Sequence, residues 1–379
     1  MDRSLPVALT QFPIPDLAIP DVSIIVPARN EEASLGDCLE SLSSQAGVAF
    51  EIIVVDDGST DRTREIARSF AGVRVISAGP LRQDSTGKTW TGKNNAVVAG
   101  AKEARAKWLL FTDADTVHRP GSLARALDEA RNAQADLLSY SPEQVVVTFA
   151  ERAVMPVIFA ELAAQYPLRK VREQSSGIVA ANGQYIFVRR AAYEAVGGHA
   201  AVATEILEDV ALARLFRNAG QRVHFRYGGD AVRTRMYRNW ARLREGWTKN
   251  LALLFPRPEF LAFQSLFLWF GAWSALGLAV SVAASRHFVW ILCAAFWLLV
   301  YRRIRAAHFA TANNLLAIAF GLPLFAYLLL RSKKAHESGQ VSWKGRAYSV
   351  GAPSESNHAA MQVGRTIPSI ENQQLGTGN

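Results

Sequence analysis

Trp108-Leu109-Leu110-Phe111-Thr112-Asp113-Ala114-Asp115-Thr116 is an apolar run that stops abruptly in two carboxylates one residue apart. A buried strand ending this way delivers acidic groups to the carboxyl edge of a sheet, where open α/β folds bind their ligands. Side chains alternate along a strand, so Asp113 and Asp115 are expected on one side, close enough to share a cation. Neighbouring carboxylates repel unless positive charge lies between them. Mg²⁺ or Mn²⁺, hard ions that favour carboxylate and phosphate oxygens, is the simplest occupant. A lone D-x-D is also the ordinary look of a solvated turn after a strand, so the metal reading draws its weight from the surrounding chain.

Upstream, Val22-Ser23-Ile24-Ile25-Val26 reads as a buried strand that stops at Pro27, and Asn30-Glu31-Glu32 opens a helix with Leu35, Leu39 and Leu42 on one face. Glu51-Ile52-Ile53-Val54-Val55 is a second strand, and it too ends in carboxylates, Asp56-Asp57. Val73 to Ile76 forms a third strand, and Gly92 to Arg105 the helix before the Trp108 strand. Short-linked alternation of this kind predicts an α/β fold, a mostly parallel sheet with helices on both faces. Its strand ends would gather Arg29, Asp56, Asp57, Asp113 and Asp115 at one edge, the outline of a nucleotide pocket. There is no G-x-G-x-x-G after the first strand and no P-loop, which excludes the common dinucleotide and NTPase signatures. Lys93, at a helix start, is placed to meet a phosphate. Lys88 reads equally well as a solvated loop residue.

Further along, Asp136 to Tyr140 and Val145 to Val147 look like strands. Residues 150–166 form an apolar helical stretch with Met155, Pro156 and Phe159, chiefly core, with a composition that also suits an acceptor groove. Asn182-Gly183-Gln184 precedes another strand; the glycine lets backbone approach a sugar, and Gln184 offers an amide to its hydroxyls. Glu208-Asp209 opens a helix, where acidic residues are ordinary dipole partners.

The 379 residues carry a net charge of +9, and half of them are hydrophobic. The apolar excess lies after residue 260, which points to membrane segments. The charge suits anionic head groups or a nucleotide diphosphate. With no basic arm or zinc-finger spacing, nucleic acid is not an expected partner. Cys38 and Cys293 are too far apart in kind and place to suggest a disulfide framework. Residues 1–20, with four prolines and no signal-peptide core, read as an extended leader. From Arg226 to Arg257 there are eight basic residues against two acidic. Trp240, Leu243, Trp247, Leu251 and Leu254 recur there at helical spacing, the pattern of a helix lying on an anionic bilayer or of a core helix with one wet face. Leu261 to Ala284 is long enough to span a membrane, Phe288 to Tyr301 is short for a span, and Ala310 to Leu330 is interrupted by Asn313, Asn314 and Pro323. The clusters Arg302-Arg303-Ile304-Arg305 and Arg331-Ser332-Lys333-Lys334 both favour the cytoplasmic side. Three complete spans would separate them.

Taken together, Val22 to Glu31, Val54 to Asp61, Gly92-Lys93-Asn94-Asn95-Ala96, Asp113-Ala114-Asp115, Gly183 to Arg190, Val196-Gly197-Gly198 and Glu208-Asp209 resemble glycosyltransferase family 2 over residues 20–255. The resemblance implies a GT-A fold, Rossmann-like, that binds a nucleotide sugar as co-substrate and inverts the anomeric centre. It further implies that Asp57 contacts uracil, and that Pro27, Arg29, Asn30 and Glu31 belong to the base and ribose site. Asp113 would face ribose and metal, and Asp115 would ligate the metal on the diphosphate. Asp209 is the position of the base, with Glu208 orienting the site or the acceptor, and Gln184 positions the sugar. Processive members carry Q-x-x-R-W; this chain has Tyr237-Arg238-Asn239-Trp240 and Glu245-Gly246-Trp247-Thr248-Lys249-Asn250 instead, which favours transfer of one sugar. Val341-Ser342-Trp343-Lys344-Gly345-Arg346-Ala347-Tyr348 resembles a tail motif of the lipid-modifying branch, which includes carotenoid- and hopanoid-associated enzymes.

The expectation is a multi-pass protein of the bacterial inner membrane with its catalytic domain in the cytosol, moving one sugar from a UDP-sugar to a lipid acceptor. A processive polysaccharide synthase and a non-catalytic scaffold that keeps the fold are the alternatives. The expected layout is a leader at 1–20, a GT-A domain at 21–235, an amphipathic interfacial helix at 236–258, transmembrane segments at 259–331, and a tail at 332–379 that is disordered after residue 350.

Overall fold

The computed structural model describes residues 19–281, 287–343 and 346–348. Most of the expected leader and all of the tail beyond residue 348 lie outside the described residues. In chain order the elements are β1 (Val22–Ala28), α1 (Leu35–Ser43), β2 (Phe50–Asp56), α2 (Thr63–Arg68), β3 (Val73–Ser77), α3 (Gly92–Glu103), β4 (Trp108–Thr112), β5 (Thr116–His118), α4 (Ser122–Asn132), β6 (Leu137–Ser141) and β7 (Glu143–Gln144). Then come α5 (Phe149–Gln165), α6 (Leu168–Arg172), β8 (Tyr185–Arg189), α7 (Arg190–Ala195), α8 (Glu208–Asn218), β9 (Val223–Tyr227), β10 (Val232–Thr234) and α9 (Trp240–Leu254). The chain closes with α10 (Pro258–Ser281), α11 (His287–Ile304), α12 (Thr311–Leu316), α13 (Leu322–Glu337) and a hairpin of β11 (Val341–Trp343) and β12 (Arg346–Tyr348).

Seven strands form one sheet in the order β3-β2-β1-β4-β8-β6-β9. All neighbours run parallel except β8, which is antiparallel to both β4 and β6. The central β-branched strands are buried on both faces, as their unbroken apolar sequence requires. On one face Ile24 and Val26 pack with Leu35 and Leu39 of α1 and Leu123 and Leu127 of α4. On the other, Ile25 and Val55 meet Ala96 and Val97 of α3 and Leu212 and Phe216 of α8.

Two local expectations change. β4 ends at Thr112, so Asp113 and Asp115 sit in the turn between β4 and β5, not on the strand. Strand alternation therefore does not set their relative direction; the turn does. Val145 to Val147 is not a strand; pairing stops at β7, which adds to a small sheet of order β5-β10-β7.

A third apolar core joins the catalytic layer to the C-terminal helices. Three segments are long and apolar enough to cross a membrane, 258–281, 287–307 and 311–337. The second is longer than its apolar run suggested, because the helix continues through Arg302 and Arg303. α10 and α11 turn large apolar groups outward, among them Phe260, Phe263, Phe267, Ile291 and Leu299. The third segment, α12 and α13 joined through a π-helical turn, differs: half of its apolar window is buried in protein. Both of its ends are fastened to the catalytic layer. Asn313 accepts a hydrogen bond from Arg152 of α5 at 2.9 Å. Ser332 donates to the Thr248 carbonyl at 2.7 Å, and His336 to the Lys249 carbonyl at 2.8 Å, both on α9. Of the two basic clusters, Arg303 pairs with Glu161 of α5 at 2.7 Å, and Lys333 pairs with Glu259 at the start of α10.

The apolar side of α9, one candidate for a lipid contact, packs on protein instead. Leu243, Trp247 and Leu251 are buried against α5 and α13, and the Trp247 indole N–H lies 3.4 Å from the Met155 sulfur. Leu251→Ala is therefore expected to cost about 2–5 kcal/mol, as truncations of fully buried leucines do. Phe263→Ala, on the outward face of α10, should leave stability in detergent nearly unchanged. Thermal unfolding of the solubilised chain checks both.

Candidate active site at the sheet edge

Two loops that leave adjacent parallel strands are laced together at the carboxyl edge. Arg29 donates to the Asp57 carbonyl at 2.6 Å. Asn30, at φ +53°, accepts from the Thr60 amide at 2.9 Å, and the Glu31 amide donates to Thr63 Oγ1 at 2.7 Å. Short polar side chains tolerate a left-handed backbone because they can satisfy it locally. Arg29, Asn30 and Glu31 thus shape the loop wall, and with Pro27 and Asp57 they line one end of the cleft.

The acidic turn rests on a buried polar network. Thr112 Oγ1 donates to the Gln184 carbonyl at 2.9 Å, and Thr116 Oγ1 donates to the Asp113 carbonyl at 2.7 Å. His118 Nε2 lies 3.1 Å from Thr112 Oγ1 and 3.2 Å from Thr116 Oγ1; burial holds this imidazole neutral, its pKa lowered to about 3. From β10, Thr234 donates to the Asp115 carbonyl and accepts from the Gln184 side-chain amide, each at 3.2 Å. One network sets the heights of Asp113, Asp115 and the Gly183 loop, and Gln184 serves as one of its struts.

At the centre stands Lys93, one residue inside α3. Its Nζ lies 2.8 Å from Asp113 Oδ1 and 2.9 Å from Glu208 Oε1. Asp209 beside it accepts from the Gly183 and Val210 amides, both at 2.8 Å. A Cβ on residue 183 would lie 2.9 Å from Lys93 Nζ and 3.2 Å from Glu208 Oε1, so any larger residue there would shift the ends of both side chains. Burial works against the Lys93 charge, yet Asp113 and Glu208 hold its pKa above the usual lysine value. Burial likewise works against Glu208, but Lys93 and then Lys249 keep its carboxyl below the usual glutamate range. For Asp209, burial and then the Glu208 charge outweigh Lys93 and the two amides, and its pKa rises to about 6. Two adjacent carboxylates thereby differ in basicity, the usual arrangement where one must take a proton and the other must stay charged.

Sequence reasoning missed two cations at this site. Lys249 of α9 lines the cleft and acts on Glu208, and burial lowers its own pKa. Arg346 of β12 pairs with Asp57. Lys249 was hidden in an apparently membrane-directed basic belt. Arg346 was marked only by the Val341-to-Tyr348 motif.

These residues line one cleft of about 1060 Å³. It runs from Asp57 and Arg346 past Asp113, Lys93 and Asp209 to Phe159, Leu162, Leu254 and the 306–310 segment that joins α11 to α12. Asp113 and Asp115 offer hard oxygen donors that fit Mg²⁺ or Mn²⁺. Among the described residues no group of three His, Cys, Asp or Glu could enclose an ion alone. The remaining ligands would be water and substrate oxygens, the shared coordination typical of Mg²⁺ on a diphosphate.

The sheet and this edge together form an α/β domain with a polar cleft at its strand ends. Residues 23–197 match the family model described as glycosyl transferase family 2. The 4,4'-diaponeurosporenoate glycosyltransferase of Staphylococcus aureus is 30% identical over 346 residues, covering 87% of this chain and 88% of that enzyme. The chain belongs to glycosyltransferase family 2. Among solved structures, S. aureus TarS 1–349 in complex with UDP-GlcNAc aligns over 84% of this chain and 92% of that one, at 18% identity and a TM-score of 0.39. The mannosyltransferase PcManGT from Pyrobaculum calidifontis, in complex with GDP-Man and Mn²⁺, aligns over 84% and 87%, at 15% identity and a TM-score of 0.43. The sequence match and the sheet order, not these distant superpositions, carry the assignment.

Gly183→Ala should leave the sheet intact but displace Lys93 from between Asp113 and Glu208. A loss in kcat on the order of tenfold to a hundredfold is expected, the usual cost of shifting a site by about an ångström. The melting temperature should hold, and nucleotide release with a competent donor reads the loss.

Proposed function

We propose that this enzyme transfers a single sugar from a UDP-sugar to a membrane lipid, with inversion at the anomeric carbon. The observation that carries the reading is the continuity of the cleft. Its polar end holds the carboxylates and cations suited to a nucleotide diphosphate, and its apolar end reaches Phe159, Leu162, Leu254 and the segment between two membrane-type helices. A soluble acceptor would not need that second end. The name of the S. aureus relative, 4,4'-diaponeurosporenoate glycosyltransferase, supports an apolar acceptor.

In this reading Asp57 meets the base, the Pro27–Glu31 wall flanks the nucleoside, and Lys93 lies beside the diphosphate. Asp113 and Asp115 would hold a divalent cation, which when bound supplies charge neutralisation to the leaving diphosphate. The acceptor oxygen attacks C1 from the face opposite the diphosphate. As the new C–O bond forms, the acceptor proton passes to Asp209 and the electrons of the old C1–O bond leave with the nucleoside diphosphate. Glu208 stays charged on Lys93 and fixes that ammonium.

We read α10 and α11 as a transmembrane hairpin and the 311–337 segment as docked on the catalytic side. Its two fastened ends, the shared position of both basic clusters and the return of β12 to Asp57 all support an even number of crossings. That arrangement keeps the basic clusters cytosolic with the catalytic domain at the inner membrane, in accord with the positive-inside tendency.

The test uses membranes containing the full chain, UDP- and GDP-sugars and total lipid, with and without EDTA. A single-hexose mass gain on a lipid, lost with EDTA, is expected; a ladder of hexoses would overturn single transfer. Asp209→Asn should lower the rate about 10²- to 10⁴-fold, the typical share of a general base. The wild-type rate should fall as pH drops through about 6, because Asp209 becomes protonated there, and should be level above it. A carboxylate acceptor needs no base, so a rate insensitive to both changes would identify that acceptor class.

A further inference from the structure

The C-terminal hairpin follows the last apolar helix and returns to the nucleotide end of the cleft. Val341 of β11 is buried, β11 packs on α9, and from β12 Arg346 reaches Asp57 across 289 positions of sequence. The pairing is a two-pronged fork: Nη1 meets Oδ2, and Nη2 meets Oδ1 at 3.1 Å. The Asp57 side chain is only 7% exposed and the Arg346 side chain 23%, so the fork is largely shielded from water. The start of α3 makes room for it. A Cβ on Gly92 would lie 1.9 Å from Arg346 Nη1 and 2.5 Å from Asp57 Oδ2.

We infer that Arg346 is a positioning residue of the donor site, a guanidinium that fixes the rotamer of Asp57 so that this carboxylate reads the nucleobase. The inference rests on the nucleotide-sugar reading above and adds to it a residue from beyond the membrane helices. A carboxylate has about four acceptor sites on its two oxygens, and a bidentate arginine uses two of them. The rest remain open to an N–H of the base while the fork stays closed. Arginine suits this task and lysine does not, since a single ammonium cannot fix the plane of the carboxylate. The glycine at 92, the buried acid and the hairpin clamped on α9 all serve one contact, which a mere fastening of the chain end would not require at this spot.

The experiment is calorimetric titration of the full-length solubilised protein with UDP and, separately, with pyrophosphate, both with Mg²⁺. Arg346→Gln is expected to weaken UDP about tenfold, the scale of one charge-assisted hydrogen bond, and to leave pyrophosphate within about twofold. Donor KM should rise in step while kcat holds. Arg346→Lys should resemble Arg346→Gln and not the wild type. On an Asp57→Asn background, Arg346→Gln should add little, because the two act through one contact. Unchanged UDP affinity in Arg346→Gln would overturn the inference, as would equal weakening of pyrophosphate, which would put the guanidinium on the phosphates or on the fold. Tighter UDP binding would overturn it too, making the hairpin a strap that blocks the site. A wild-type chain that binds neither UDP nor pyrophosphate would remove the donor reading itself, and the inference with it.

Discussion

The site depends on one ammonium group wedged among carboxylates. Without Lys93, the acidic turn and the start of α8 would crowd like charges into a poorly hydrated corner, a costly arrangement. With it, Asp113 and Glu208 each meet the same ammonium, and Asp209, which makes its bonds to backbone amides, is left more basic than Glu208. The division of labour between two adjacent acids thus follows from which of them touches the lysine. The same cation lies against the loop at Gly183, where a Cβ would come within 2.9 Å of it.

Around that centre the protein is layered. The sheet and its helices set the strand ends, and the threonine–histidine network below the acidic turn locks β4, β5, β10 and the Gly183 loop into one height. α5 and α9 then act as a floor shared by the catalytic layer and the apolar helices, burying Met155 and Trp247 between them. The cleft crosses this floor. Polar chemistry and an apolar binding surface therefore meet within one cavity, not across a domain gap.

Much of this was legible in the sequence because the signals were local. Apolar β-branched runs gave β1, β2 and β4, the last two stopping in acids, and the glycine and lysine marked the start of α3. What escaped was decided by long-range pairing. The reversal of β8 leaves no trace in its own apolar sequence. The strand read at Val145–Val147 failed because β10 pairs only with the two residues before it. The belt around α9 carries an amphipathic pattern that fits a bilayer and a protein core equally well, and only its partners, α5 and α13, decide between them. Arg346 lies 289 positions from the acid it binds, a distance at which spacing says nothing.

That last distance has a consequence for how the molecule is made. Asp57 leaves the ribosome early, and its guanidinium partner leaves only after every apolar helix has been translated. The Asp57 end of the cleft therefore cannot take its final form on a nascent chain whose apolar helices are still unmade. A chain stalled or cleaved after α13 would keep its acidic turn and Lys93 but lack Arg346. In such a protein the pocket is completed by a residue made after the apolar helices, so its assembly waits on theirs.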